Sequence, residues 1–411
     1  MKYDVIVIGG GPAGMMSAGR AAELGAKVLL LEKNKHLGIK LLCTGKGRCN
    51  ITNNIEEIKK LVDKYGKNGK FLFSAFNKFK VEDTVNFFEK RGVKTKVERG
   101  ERIFSVSDRA LDVLNALIKY MRQSKVEIIT EAQVKNILME KKVIKKVILE
   151  NGQELKAKNY IICTGGKSYP LTGSTGDGYK WLKKMGHTII SPRPALTPII
   201  IKEKFVKELE GLSLKNVKIS IFKNNKKIIS RFGEALFTNN GLSGPIILDM
   251  SKKIGEELVN KLKLKIDFKP VLDFIKLDER VQRDFQKNSN KLFKNSLNEL
   301  LPQKLIPIII KLSGIDPNKK VNLITKTERK IIIHLLKEFE LEIGGLVGFE
   351  KAIITAGGVE LTEVDPKTMQ SKIISNLYLA GEILDIDGPT GGYNLQVCWS
   401  TGFVAGENSI L

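Results

Sequence analysis

Cysteine and histidine are scarce in this chain: 411 residues hold four cysteines, Cys43, Cys49, Cys163 and Cys398, and three histidines, His36, His187 and His334. Cysteines so few and so irregularly spaced exclude a disulfide framework and a zinc site. The scattered histidines exclude histidine-based triad chemistry, and no metal is expected. Cys43 and Cys49 lack the C-x-x-C spacing of a dithiol relay. No apolar run approaches the roughly 18 to 20 residues of a helical membrane span. The segment Ile306 to Leu312 is short and broken by Pro307 and Lys311, so no membrane partner is expected. The chain opens directly on a strand pattern, with no basic start followed by an apolar stretch and cleavage site, which points to the cytoplasm. Acidic residues are also short, 45 against 69 basic, for a formal charge of +24. That excess is mostly lysine spread along the chain, accompanied by many Ile and Asn. Such an excess suits a nucleic-acid footprint or anionic substrates, but its even spread reads as solvated surface under low-GC coding bias, so nucleic acid is not the expected partner.

Apolar residues make up 42% and charged residues 28%, the composition of a folded globular protein, and the length suits two or three domains. The first 32 residues form one device. A strand from Tyr3 to Ile8 runs into Gly9-x-Gly11-x-x-Gly14, followed by a helix to about Leu24 and a second strand, Lys27 to Leu31, ending on Glu32. With 37 glycines, a bare G-x-G-x-x-G arises by chance about 0.3 times in such a chain, so the context carries the argument. Gly9 permits the tight turn, Gly11 lets backbone approach a pyrophosphate, and Gly14 lets the helix pack on the sheet. The unpaired NH groups and the dipole of the helix start favour phosphate by typically about 0.3 to 1 kcal/mol. Glu32, 18 residues beyond Gly14, stands where a carboxylate accepts both ribose hydroxyls and repels a 2′-phosphate. The nucleotide held here is FAD or NAD, with NADP disfavoured.

A second glycine-rich stretch, Gly38 to Asn50, reads as a loop close to a ligand. A helix is expected over Ser107 to Ser124, capped by Ser107 or Asp108. Strands recur between Val126 and Ala157, with a hairpin turn at Glu150-Asn151-Gly152-Gln153. Asn159 to Cys163 is an apolar strand entering Thr164-Gly165-Gly166, and a loop from Ser168 to Gly178 leads into a helix. Pro192, Pro194 and Pro198 punctuate a boundary. From 195 to 346 the character changes: a small β part over about 195–270 and the end of the segment, and a lysine-rich helical part over about 271–341. Cofactor language returns in Leu377 to Gly381-Glu382, in Asp385 to Gly391-Gly392, and in a last helix from Tyr393 or Asn394. The expected fold is α/β: a discontinuous Rossmann-like domain, 1–194 and 347–411, carrying an inserted domain at 195–346.

These residues resemble the two-dinucleotide-fold flavoproteins related to glutathione reductase. Gly381-Glu382 matches their late strand meeting the flavin ribityl chain, the helix after Gly391-Gly392 matches the one aimed at the isoalloxazine ring, and Val134 matches the backbone contact to adenine. Cys163-Thr164-Gly165 matches their threonine-glycine return. More narrowly, the chain resembles the BaiN-like, aminoacetone-oxidase-like FAD-binding flavoproteins. The matching blocks are Gly45 to Asn53, Gly233 to Thr238, Gly241 to Pro245, Thr355 to Val359 and Ala380 to Gln396. The family's usual histidine after Phe-Thr in the insert is Asn239 here, so no acid/base role carries over to it. The resemblance implies FAD, an insert built as a small β-barrel plus helical subdomain, and activities as different as steroid-ring reduction and amine oxidation.

The expected cofactor-binding residues are Gly9, Gly11, Pro12, Ala13, Gly14, Glu32, Lys33, Lys40, Asn50, Val134, Thr164, Gly165, Gly166, Gly381, Glu382, Asp387, Gly391, Gly392, Tyr393, Asn394 and Leu395. Catalytic residues stay unassigned. Tyr169 and Tyr393 are candidates for proton donation, and Cys49 for a thiol beside the flavin. A second G-x-G-x-x-G is missing, so NADH or NADPH must bind transiently. The expected activity is NAD(P)H-dependent hydride transfer through flavin N5 to a small unsaturated or carbonyl-conjugated substrate. The alternatives are an amine oxidase using oxygen and a tRNA-modifying flavoprotein.

Overall fold

The computed structural model describes residues 2–410. Its contacts divide the chain into two compact units, Met1–Pro194 with Phe349–Leu411, and Ala195–Gly348.

The first unit is built on a five-stranded parallel sheet in the order Leu377–Leu379, Ala157–Ile162, Tyr3–Ile8, Val28–Leu31, Glu127–Ile129. Its central strands read as continuous β-branched and leucine runs because both sheet faces are covered. Val5, Ile6, Val7, Leu29, Leu30, Ile161 and Ile162 are fully buried. The first helix, Pro12–Glu23, packs against the last, Tyr393–Asn408. Their approach is close: a Cβ built on Gly402 would stand 2.6 Å from the carbonyl of Ala13, and one on Gly406 2.4 Å from that of Ser17. Small residues on both helices are therefore what allow this crossing.

Around that sheet lie three smaller ones. Thr52–Asn53, Arg102–Ser105 and Thr95–Glu98 form one, and Val134–Glu140, Val143–Leu149 and Glu154–Leu155 another, the latter including the expected hairpin. A ribbon pairs Ile189–Ala195 with Ile354–Val359. The helix expected from Ser107 instead spans Ala110–Gln123, with Arg109 as its cap residue. Asp108 is drawn away from capping by Lys96 and Arg48, at 2.7 and 3.1 Å, and adopts a left-handed φ of 54°. The Gly38 to Asn50 stretch is less loop-like than its composition: a short helix, Ile39–Cys43, passes into a 3-10 turn, Thr44–Gly47.

The second unit contains a closed six-stranded barrel in the order Ile199–Ile201, Gly241–Ser243, Lys226–Thr238, Ser213–Lys223, Leu262–Asp267, Phe339–Leu346. Inward residues alternate along the strands, with Ile219, Ile221, Leu264 and Ile266 fully buried. Its helices carry their own start signals. Asp273 accepts the amide of Lys276 at 2.8 Å to open Phe274–Lys287, and Thr325 with Glu328 forms a capping box for Lys326–Lys337. The helical part ends at Lys337, because Phe339 onward is a barrel strand whose Phe339 and Leu341 are fully buried. Each unit has its own apolar core.

Candidate cofactor cleft

Within the first unit, the C-terminal ends of the parallel strands open into one deep cleft, where ligands of open α/β sheets bind. Gly9 and Gly14 are needed by the protein itself. Gly9 has φ +111°, and a Cβ on Gly14 would sit 1.8 Å from the carbonyl oxygen of Gly9. Gly11 differs: its φ is −82°, and a Cβ there would meet no protein atom within 4 Å. Neither backbone conformation nor packing asks for glycine at this position. The space its missing side chain leaves belongs to the cleft, which is what a closely approaching pyrophosphate requires. The helix that follows has Pro12 at its first position, no side-chain cap and no acidic residue in its first turn. Its amide end is thus free of protein acceptors that would compete with an anion.

Glu32, 8% exposed, directly follows the second strand, Val28–Leu31. Its Oε2 accepts the amide of Gly10 at 2.8 Å, and its Oε1 accepts the backbone and side-chain nitrogens of Asn34, both at 2.8 Å. These bonds fix the carboxylate's orientation and leave it acceptor capacity toward ribose hydroxyls. Lys33 turns the other way and donates to Thr175 Oγ1 at 2.6 Å and Asp177 Oδ2 at 3.0 Å. Asn34 also donates to the carbonyl of Thr172 at 3.1 Å. The loop Thr172 to Asp177 is thereby tied to the turn after Glu32, and both lines of the tie are in the cleft wall. At Asp177, burial pushes the carboxyl up, but hydrogen bonds from Thr175, Lys33 and Lys180 outweigh it and leave it at about 2.

A second polar cluster in the same wall centres on Glu382. Its Oε1 accepts from Thr355 N and Ser168 Oγ, each at 2.8 Å, and its Oε2 accepts from Lys40 Nζ at 2.6 Å. Lys40 also donates to Ser168 Oγ at 2.6 Å. The last helix enters the cleft with Asn394 and Leu395. Asn394 additionally staples the preceding turn, accepting Gly388 N at 2.7 Å and donating to Gly388 O at 3.0 Å.

Of the expected cofactor residues, Gly9, Gly11, Pro12, Ala13, Glu32, Lys33, Lys40, Val134, Thr164, Gly165, Glu382, Asn394 and Leu395 line this cleft. Gly14, Gly166, Gly381, Asp387, Gly391, Gly392, Tyr393 and Asn50 are not among its wall residues. Asn50 has another task. Its amide donates to the carbonyls of Ile103 and Thr52 and accepts Gly392 N at 2.9 Å, so it braces the turn into the last helix. Gln396 and Trp399 of that helix complete the brace, with Thr52 Oγ1 bonded to Gln396 at 2.6 Å and Trp399 Nε1 to Ile51 O at 2.9 Å. Residues not anticipated from the sequence include Asn34, His36, Ser174 and Trp181, which line the wall. Ser168 and Thr355 act through Glu382. The only signal for Ser168 and Ser174 is their glycine-rich loop, which the sequence places between an apolar strand and a helix.

The three catalytic candidates do not line the cleft. Tyr169 takes a left-handed φ of 52° and donates its amide to Phe349 O at 2.9 Å. Tyr393 is buried, its ring edge-on to Tyr65 at 6.4 Å, and its carbonyl accepts the Tyr65 hydroxyl at 2.9 Å. Cys49 is fully buried, and burial pushes its thiol up to about 12, far from a thiolate at neutral pH.

Comparison with known proteins agrees with this geometry. The profile of the HI0933-like protein Rossmann domain matches residues 3–408. The chain is 32% identical over 405 residues to a 3-dehydro-bile acid delta(4,6)-reductase of Clostridium scindens, covering 98% of this chain and 97% of that protein. It is 28% identical over 411 residues to the ribosomal RNA dihydrouridine synthase of Escherichia coli K12, covering 100% of this chain and 98% of that one. Among solved structures, the 3-ketosteroid-delta4-(5alpha)-dehydrogenase of Rhodococcus jostii RHA1 superposes with a TM-score of 0.55 at 14% identity, over 100% of this chain and 97% of that one, a likeness of fold. With a cleft shaped for a dinucleotide and a family match along nearly its whole length, the chain belongs to the HI0933-like FAD-binding Rossmann family and is an FAD-dependent oxidoreductase.

Proposed function

We propose that the protein reduces a carbon–carbon double bond conjugated to a carbonyl, with NADH or NADPH as the hydride source and flavin N5 as the relay. The observation that carries this reading is the pair of full-length relatives named for a bile acid delta(4,6)-reductase and a dihydrouridine synthase. A 3-oxo steroid unsaturated at carbon 4 and the uracil ring both present an alkene polarised by a neighbouring carbonyl. Such an alkene accepts hydride at its distal carbon and a proton beside the carbonyl. FAD supplies the redox chemistry when bound, and the chain's own work is binding, orientation and electrostatics. Glu32 would hold the ribose and exclude a 2′-phosphate, while Gly11 and the start of the first helix would hold the pyrophosphate. Asn394 and Leu395 bring the start of the last helix to the opposite end, and Ile353, Ile354 and Ile386 give the wall an apolar share that limits water.

The test is anaerobic mixing with NADH and with NADPH, followed by the flavin's visible absorption band, and then addition of a 3-oxo-Δ4 steroid or a uridine-containing RNA. Bleaching by a nicotinamide and recovery of the band with either acceptor supports the proposal. Bleaching by an amine but by neither nicotinamide would replace it with the oxidase reading. A second reading, in which the conjugated alkene is a uracil within RNA, is favoured by the formal charge of +24 together with the relation to the synthases. RNA-dependent recovery of the band, with no recovery by steroids, would select it.

A further inference from the structure

Lys40 and Glu382 form an ion pair in the wall of the cofactor cleft, 2.6 Å apart, with side chains 20% and 14% exposed. The pair is more than a contact between two long side chains. Glu382 receives a donor on each oxygen from separate parts of the chain: Lys40 on Oε2, and the Thr355 amide and Ser168 hydroxyl on Oε1. Lys40 comes from the short helix Ile39–Cys43, Thr355 from the strand Ile354–Val359, and Ser168 from the loop after Gly166. Ser168 also accepts from Lys40, which closes the cluster into a ring of three side chains. A partly buried carboxylate and ammonium held this rigidly cannot swing into water to screen themselves. Their fields therefore act on whatever occupies the cleft.

We infer that Lys40 and Glu382 are positioning residues that balance each other's charge toward the bound flavin and so set its reduction potential. The inference rests on FAD binding alone and stands whether the substrate is a steroid, a nucleobase or an amine. Electron uptake adds negative charge within the cleft. With the pair intact, the ammonium and the carboxylate largely offset one another. Without Lys40 the Glu382 carboxylate opposes that charge, and without the carboxylate the Lys40 ammonium favours it.

The experiment is a reductive titration of the purified holoenzyme with xanthine and xanthine oxidase against a reference dye. It compares the wild-type protein with Lys40→Met, Glu382→Gln and the double variant. Lys40→Met is expected to shift the potential negative and Glu382→Gln positive, each by at least about fivefold in the oxidised-to-reduced ratio at fixed potential, with the double variant returning toward wild type. Single variants that shift the same way, or fail to shift, would overturn the inference. If Lys40→Met loses FAD, Lys40→Arg keeps the charge while changing its shape, and an altered potential in that variant would equally overturn it. A merely structural role would lower FAD affinity and melting temperature in every variant without opposite-signed potentials.

Discussion

Lys33 Nζ lies 3.0 Å from Asp177 Oδ2, joining the turn after the second strand to the first turn of the helix Asp177–Lys184. Both partners are about one quarter exposed, so the pair is worth only about 0.5 to 1 kcal/mol. Its position in the cleft wall matters more than that energy. Asp177→Asn is expected to speed FAD dissociation by about two- to fivefold, with little change in melting temperature, as read by flavin fluorescence after dilution. Since the Asp177 carboxyl sits at about 2 in the folded chain, below its ordinary 3.8, the stabilisation is present above pH 3.8 and is lost as the pH falls through 2.

Two neighbouring glycines should separate ligand binding from folding. Gly11→Ala is expected to leave the melting temperature of the apoprotein unchanged and to abolish or sharply weaken FAD retention, because its Cβ meets only the cleft. Gly14→Ala places a Cβ against the Gly9 carbonyl and is expected to cost about 1 to 3 kcal/mol of stability. Thermal melts with and without FAD check both.

At Glu32, replacement by alanine removes the acceptor for Gly10 and Asn34 as well as the carboxylate proposed to receive the ribose. The expected loss is about 1 to 3 kcal/mol in FAD binding, measured by titration of the apoprotein, and a destabilised apoprotein too. Glu32→Gln keeps the shape and should be the milder change in stability.

His187 gives the clearest pH signature. It is buried between Glu363 and Ser371, each 2.9 Å from one ring nitrogen. Burial lowers its pKa below the ordinary 6.5, and the Glu363 carboxylate recovers only part of that shift. The folded state therefore favours the neutral ring. Stability from this group is fully present above pH 6.5 and is lost as the pH falls through the lower folded value. His187→Gln should flatten that part of the stability profile, measured by urea melts across the pH range.

Thiol labelling should distinguish the four cysteines. Cys43 is exposed and expected to react quickly, whereas Cys49 and Cys163 are buried and expected to resist. Cys398 lines the cleft and is expected to label slowly in the apoprotein and not at all with FAD bound. Cys49→Ser is expected to keep both flavin and turnover.

How much of this was legible depends on whether a residue's task is local. The turn Gly9 to Gly14 and the acceptor Glu32 belong to a unit whose spacing alone dictates the geometry, and the sequence shows them plainly. Lys40 and Glu382 were each legible as cleft residues from their own motifs, but their bond spans 342 positions and needed the structure. Ser168 and Thr355 act through the distant Glu382, and Asn34 joins its neighbour Glu32 to the distant Thr172, so no periodicity betrays them. Asn50 shows the opposite failure. A polar residue in a glycine-rich motif looks like a ligand contact, yet its amide is consumed by the backbone of Gly392 and two strands. Ser107 and Asp108 were plausible caps until tertiary ion pairs claimed Asp108.

The strand Leu377–Leu379 pairs with Ala157–Ile162, and the last helix packs on the first, so the nucleotide fold begun at Tyr3 is closed by residues beyond the insert. A ribosome must translate the whole barrel and its helices before the wall bearing Glu382 exists. Cofactor capture is therefore a late event in the life of each molecule, and a chain stalled within the insert would expose an unfinished sheet edge along Ala157–Ile162 to the quality-control machinery.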